Sequence, residues 1–133
     1  MKELFVDAVI DNLDMVMDFV NSELETYDCS MKVQTQIDIA IEEIFVNISS
    51  YAYKPEVGPV TIRVAVDNEV IIEFEDKGTP YNPIEKIDPD ITKSIEEREI
   101  GGLGIFMVKK IMDSVEYKNV DNKNILIIRK GIE

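Results

Sequence analysis

The sequence predicts an α/β two-layer sandwich, a mixed and mostly antiparallel sheet backed by helices. Three observations predict it. Ile37, Ile41, Ile44 and Ile48 step by four, three and four residues, the spacing of one buried helical face. Val60 to Val66 and Val70 to Asp76 alternate apolar and polar residues around Asp67-Asn68, as half-buried strands of a hairpin do. Strand, two helices, hairpin, connector, helix and hairpin follow in order, and strands separated by helix clusters pack as two layers.

Each element has its own signal. Lys2 to Val9 reads as the first strand. Asn12 is a candidate N-cap, and Leu13, Val16, Met17, Val20 and Leu24 then form a helical stripe. Ser30 is placed to cap the second, longer helix, which Pro55, Gly58 and Pro59 end. After the hairpin, residues 77–100 form a polar connector carrying Pro80, Pro83 and Pro89, a length usual for a functional lid. A glycine turn, Gly101-Gly102-Leu103-Gly104, leads into an apolar helix from about Ile105 to Met112. Val115 to Val120 and Asn124 to Lys130 close the chain as a hairpin around Asp121-Asn122-Lys123.

Composition narrows the function. The 133 residues suit a single domain, 1–133, with one hydrophobic core. A formal charge of −13 argues against nonspecific nucleic-acid binding and against anionic membranes. No apolar run is long enough to span a bilayer, and the N-terminus lacks a signal-peptide stretch. One cysteine, Cys29, cannot close an internal disulfide, so a cytoplasmic location is the simplest expectation. The absence of histidine removes phosphohistidine chemistry on this chain, Ser-His-Asp hydrolysis and His-ligated zinc. A general base near neutral pH is then a carboxylate, a lysine, a tyrosine or Cys29.

Three short segments carry candidate chemistry. Glu43 and Asn47 lie four residues apart on one side of the second helix, beside the isoleucine stripe, while Glu42 points to solvent. A carboxylate there suits a nucleophile's proton, and a carboxamide oxygen suits Mg²⁺. Alone, the pair fits a solvated glutamate and a tolerated helix asparagine better. Val70, Ile72, Phe74 and Asp76 share a strand face, so Asp76 ends a buried row and needs a partner. An adenine amino group is one such partner, and Gly78 lets the backbone approach a flat ring; a plain D-x-G turn fits equally well. The glycine turn before a helix offers unpaired N–H groups to an anion, or else is a hinge. Arg98, three residues upstream, has a phosphate or Glu96, Glu97 and Glu99 as alternative partners.

Together these segments resemble the N box, D-x-G box and G-x-G box of the GHKL (histidine kinase-like) ATPase superfamily, in the same order. The chain looks most like the anti-sigma factor serine/threonine kinases of bacterial partner-switching systems. Ile39 through Asn47 with Tyr51-Ala52-Tyr53, and Gly101 through Asp113, are similar to that branch's first and last boxes. Tyr51 stands where many relatives have histidine, and Arg98 lies farther from the glycines than the family arginine does.

The resemblance implies a Bergerat-type ATP-binding fold with ATP and Mg²⁺ as cofactors. It implies Glu43 as general base, Asn47 as Mg²⁺ ligand and Asp76 as adenine reader. Gly78, Gly102, Leu103 and Gly104 would shape the pocket and phosphate loop, Arg98 would meet the nucleotide, and 77–100 would be the lid. The implied function is an ATP-binding anti-sigma regulatory factor that phosphorylates a serine of an antagonist protein and binds a sigma factor or other regulator. Relatives commonly form homodimers. The alternatives are a noncatalytic nucleotide-binding partner-switching module and a plain ATPase.

Overall fold

The structure, a computed structural model, describes residues 1–53, 56–80 and 102–132. The strands are β1 (Lys2–Asp7), β2 (Pro59–Val66), β3 (Glu69–Asp76), β4 (Ser114–Val120) and β5 (Lys123–Gly131). The helices are α1 (Leu13–Thr26), α2 (Met31–Tyr51) and α3 (Gly102–Ile111). The sheet runs β1-β2-β3-β5-β4, and every pairing is antiparallel. The expected sandwich is therefore present, while the parallel pair that a mixed sheet allows does not form among the described strands. The reason is the last hairpin. Its second strand, β5, turns back beside β3 and leaves β4 on the outer edge.

The helices cover one face of the sheet, with α1 against α2 and β2, and α3 against α2. The helical stripes read from the sequence supply the core. Val16, Val20 and Leu24 of α1 are buried, as are Ile37, Ile41, Ile44 and Ile48 of α2. They meet Ile62 and Val64 of β2, Ile72 and Phe74 of β3, and Ile128 of β5. Period-two alternation leaves the opposite sheet face polar, where Arg63 bonds Glu3 (2.6 Å) and Glu75 (3.1 Å) across neighbouring strands.

Element ends follow local chemistry. Asp28 adopts a left-handed backbone (φ 54°) after α1, and the Cys29 N–H returns to the Leu24 carbonyl (3.0 Å), satisfying a terminal helix acceptor. Ser30 caps α2 as expected, its Oγ accepting from the Val33 N–H (3.2 Å). Ser30→Ala is expected to cost about 1 kcal/mol, read as a lower midpoint in urea unfolding with unchanged slope. Asn12 occupies the N-cap position of α1, yet its amide donates to the Asp7 carbonyl (2.9 Å) and caps nothing. The first strand accordingly stops at Asp7 rather than Val9, and a 3-10 turn, Ile10–Asn12, intervenes. Asp121 and Asn122 both take positive φ (53° and 65°), which matches the twist of the β4–β5 hairpin.

Candidate functional site

The two ends of the site begin on different elements. On α2, Glu42 is exposed and Glu43 half-buried, as the helical geometry predicts for a residue beside the apolar stripe. Burial, and then the charge of neighbouring Glu42, push the Glu43 carboxyl above its ordinary value of 4.5. Asn47, one turn on, presents a side-chain oxygen that is fully buried and has no hydrogen-bond partner among the described residues. Such an acceptor is costly to leave unmet. A divalent cation with oxygen preference fits it, and Mg²⁺ takes few protein ligands, leaving other positions to water and phosphate. Among the described residues, no cluster of three Cys, Asp or Glu side chains is placed to enclose a metal by itself.

On β3, Asp76 ends the buried row with 6% of its surface exposed. Its Oδ1 accepts from the Gly78 N–H (2.9 Å) and from Asn124 Nδ2 (3.0 Å). Burial pushes the carboxyl up, and these two donors partly offset that. The segment after Asp76 is clamped against the end of α2. The Thr79 N–H donates to the Ala52 carbonyl (2.8 Å). The Lys77 N–H donates to the Tyr53 hydroxyl (2.7 Å), which in turn donates to the Pro59 carbonyl (2.6 Å). Gly78 sits so close to Ala52 that a β-carbon there would fall on the Ala52 carbonyl. Close backbone approach is thus why this position is glycine.

Asn47 and Asp76 open into one cleft holding about 430 Å³ of empty space, its solvent mouth included. Ile44, Asn47, Ile48 and Tyr51 form its helical wall; Asp76, Tyr117, Asn124 and Leu126 form its sheet wall. One side is thus apolar enough for a flat ring, with polar groups at two places. Glu43 lies one turn before Asn47 on α2 and is not part of this described lining. Gly102, Leu103 and Gly104 are not a loop ahead of the helix but the first turn of α3, which packs on α2. First-turn N–H groups have no partner within their own helix, so anion-binding capacity stays with this segment. Arg98, Gly101 and the part of the proposed lid from 81 to 100 lie outside the described residues.

Asn124 is the polar residue that the sequence reading missed. The last strand is expected to open at Asn124, with no role assigned to that residue, but Asn124 pairs with Asp76 in the β3–β5 register and is 6% exposed. A signal was available: Asn124, Leu126 and Ile128 alternate onto the buried face, just as Phe74 and Asp76 do.

This geometry has relatives. The chain matches the histidine kinase-like ATPase domain over residues 6–130 and belongs to that family. It is 30% identical over 102 residues to an anti-sigma F factor of Caldanaerobacter subterraneus subsp. tengcongensis, covering 75% of this chain and 71% of that protein. It is 30% identical over 96 residues to the serine-protein kinase RsbW of Bacillus thuringiensis, covering 68% of this chain and 60% of that protein. The fold is similar to a crystal structure of RsbU and RsbW domains from Mycobacterium tuberculosis. That match has a TM-score of 0.65 at 16% identity and covers 99% of this chain and 33% of the other. Among the described residues, no helix is long and apolar enough to cross a membrane.

Proposed function

We propose that the chain is an ATP-binding anti-sigma regulatory factor with serine/threonine kinase activity toward an antagonist protein. The observation that carries this reading is one cleft shared by a buried carboxylate on a strand end and an orphaned carboxamide oxygen on a helix. Similarity to an anti-sigma F factor and to a serine-protein kinase supports the partner class, a sigma factor or similar regulator and a serine-bearing antagonist.

In this reading, Asp76 accepts from the exocyclic amine of adenine, whose ring lies against Ile44, Ile48 and Leu126. Asn47 Oδ1 would hold Mg²⁺, which when bound would supply positive charge beside the phosphates. The first turn of α3, with Gly102, Leu103 and Gly104, supplies N–H groups to phosphate oxygens, and Arg98 adds a cation. Glu43 accepts the proton of the attacking serine hydroxyl. A carboxyl raised by burial is better matched to that task near neutral pH than an ordinary one.

The alternative is a noncatalytic nucleotide-binding module. It is favoured by the position of Glu43 outside the described cleft lining.

Calorimetric titration with ATP, with and without Mg²⁺, tests the common core of both readings. Wild type is expected to bind ATP more tightly with Mg²⁺. Asn47→Ala is expected to lose that magnesium-dependent gain, roughly tenfold in affinity, while its metal-free affinity stays near wild type. An equal gain from Mg²⁺ in both proteins overturns the role of Asn47, and no ATP binding by wild type overturns the nucleotide reading. Phosphorylation of the antagonist by wild type then separates kinase from module.

A further inference from the structure

The Asn124 side chain is held from both sides. Its Oδ1 accepts from the Tyr117 hydroxyl (2.6 Å) and from Asn119 Nδ2 (3.1 Å). Its Nδ2 donates to Asp76 Oδ1 (3.0 Å) and to the carbonyls of Gly78 (3.3 Å) and Thr79 (3.1 Å). Turning the amide over would set its oxygen against a carboxylate and two carbonyls. The orientation is therefore fixed by charge as well as by packing.

This arrangement decides what the sheet wall offers a base. The N–H groups of Asn124 are committed to Asp76 and to the loop behind it, so Asp76 faces the cleft as an acceptor. A 6-aminopurine brings a donor to that place. A 6-oxopurine brings an acceptor, which would leave two lone-pair groups opposed in a buried setting.

We propose that Asn124, locked by Tyr117, is a positioning residue that fixes Asp76 as an acceptor and so sets the preference for 6-amino over 6-oxo purine nucleotides. It rests on the nucleotide reading above and adds to it the residue pair that sets base choice. Tyr117 and Asn124 both line the cleft, so the pair stands where a base would lie. The link also ties the edge strand β4 to the segment after Asp76, which no strand pairing does among the described residues.

The test titrates the full chain with ADP and with GDP, which bypasses turnover, for wild type, Asn124→Leu and Tyr117→Phe. Wild type is expected to prefer ADP. Asn124→Leu is expected to weaken ADP by roughly tenfold and to lower the ADP-to-GDP preference by a similar factor. Tyr117→Phe keeps its ring and loses only the hydroxyl, so a change of about threefold in the same direction is expected. If both nucleotides weaken equally, Asn124 merely shapes the cleft and the proposal is overturned. An unchanged preference in Tyr117→Phe overturns it even if Asn124→Leu does not fold. Failure of wild type to bind either nucleotide instead sinks the nucleotide reading itself.

Discussion

Glu43→Gln is expected to leave ATP affinity within about twofold of wild type and to cut phosphoryl transfer to the antagonist serine by roughly 10²–10⁴-fold. Glutamine keeps the size of the side chain and removes the proton acceptor. Glu43 lies outside the cleft lining that would hold the purine, so binding has little to lose. Radiolabelled phosphoryl transfer and ATP titration on the same preparation read the two effects apart. Transfer at the wild-type rate rules out Glu43 as the base. A parallel loss of binding and transfer assigns it to positioning of the nucleotide instead.

The same substitution has a stability signature. The Glu43 carboxyl is raised in the folded chain by burial and by Glu42, so ionising it opposes folding. Between the ordinary value of 4.5 and the raised one, the folded state holds more proton than the unfolded state, and stability falls as pH rises. Glutamine removes this loss. The nucleotide-free variant is therefore expected to melt above wild type at pH 7, with the gain vanishing below about pH 4.5. A gain that persists unchanged into acid would mean that another contact, not the carboxylate's charge, is responsible.

Gly78→Ala is expected to be the most disruptive single methyl in the site. Its β-carbon would fall on the Ala52 carbonyl and lie 2.7 Å from the Ala52 side chain, closer than real contacts come. The obstacle is backbone, so no rotamer change relieves it. The 77–79 segment must lift, and the Thr79 N–H bond to Ala52, the Gly78 N–H bond to Asp76 and the Asn124 contacts go with it. Overpacking and lost hydrogen bonds together cost about 3 kcal/mol, which for a chain of this size lowers the melting temperature by roughly 10 °C. ATP affinity is expected to fall by more than about tenfold, because Asp76 loses its support. Wild-type melting and wild-type titration in this variant would show that the close approach to Ala52 has no role.

Much of this was readable from residues near one another in sequence. The α2 stripe, the Ser30 cap, both hairpins and the burial of Asp76 all rest on periods of 3.6 or two, or on turn residues, and these are local rules. What escaped depends on distant strands. Nothing local in β3 says that β5 rather than β4 lies beside it, so nothing local says that Asn124 faces Asp76. Asn12 caps nothing for a local reason: a 3-10 turn runs directly into α1, and the Asn12 amide turns back to the Asp7 carbonyl five residues upstream. The glycine pattern predicts a turn just ahead of α3, yet Gly102 opens the helix, a shift of the size usual at helix ends.

The antiparallel register that places Asn124 opposite Asp76 also sets an order of events. During synthesis, the β2–β3 hairpin can form well before residue 124 leaves the ribosome, and until then its terminal acid has no amide to meet. A slip of one residue between β3 and β5 would turn Asn124 to the other side of the sheet. The sheet wall of the cleft is thus closed only once the last strand has been made and paired in register.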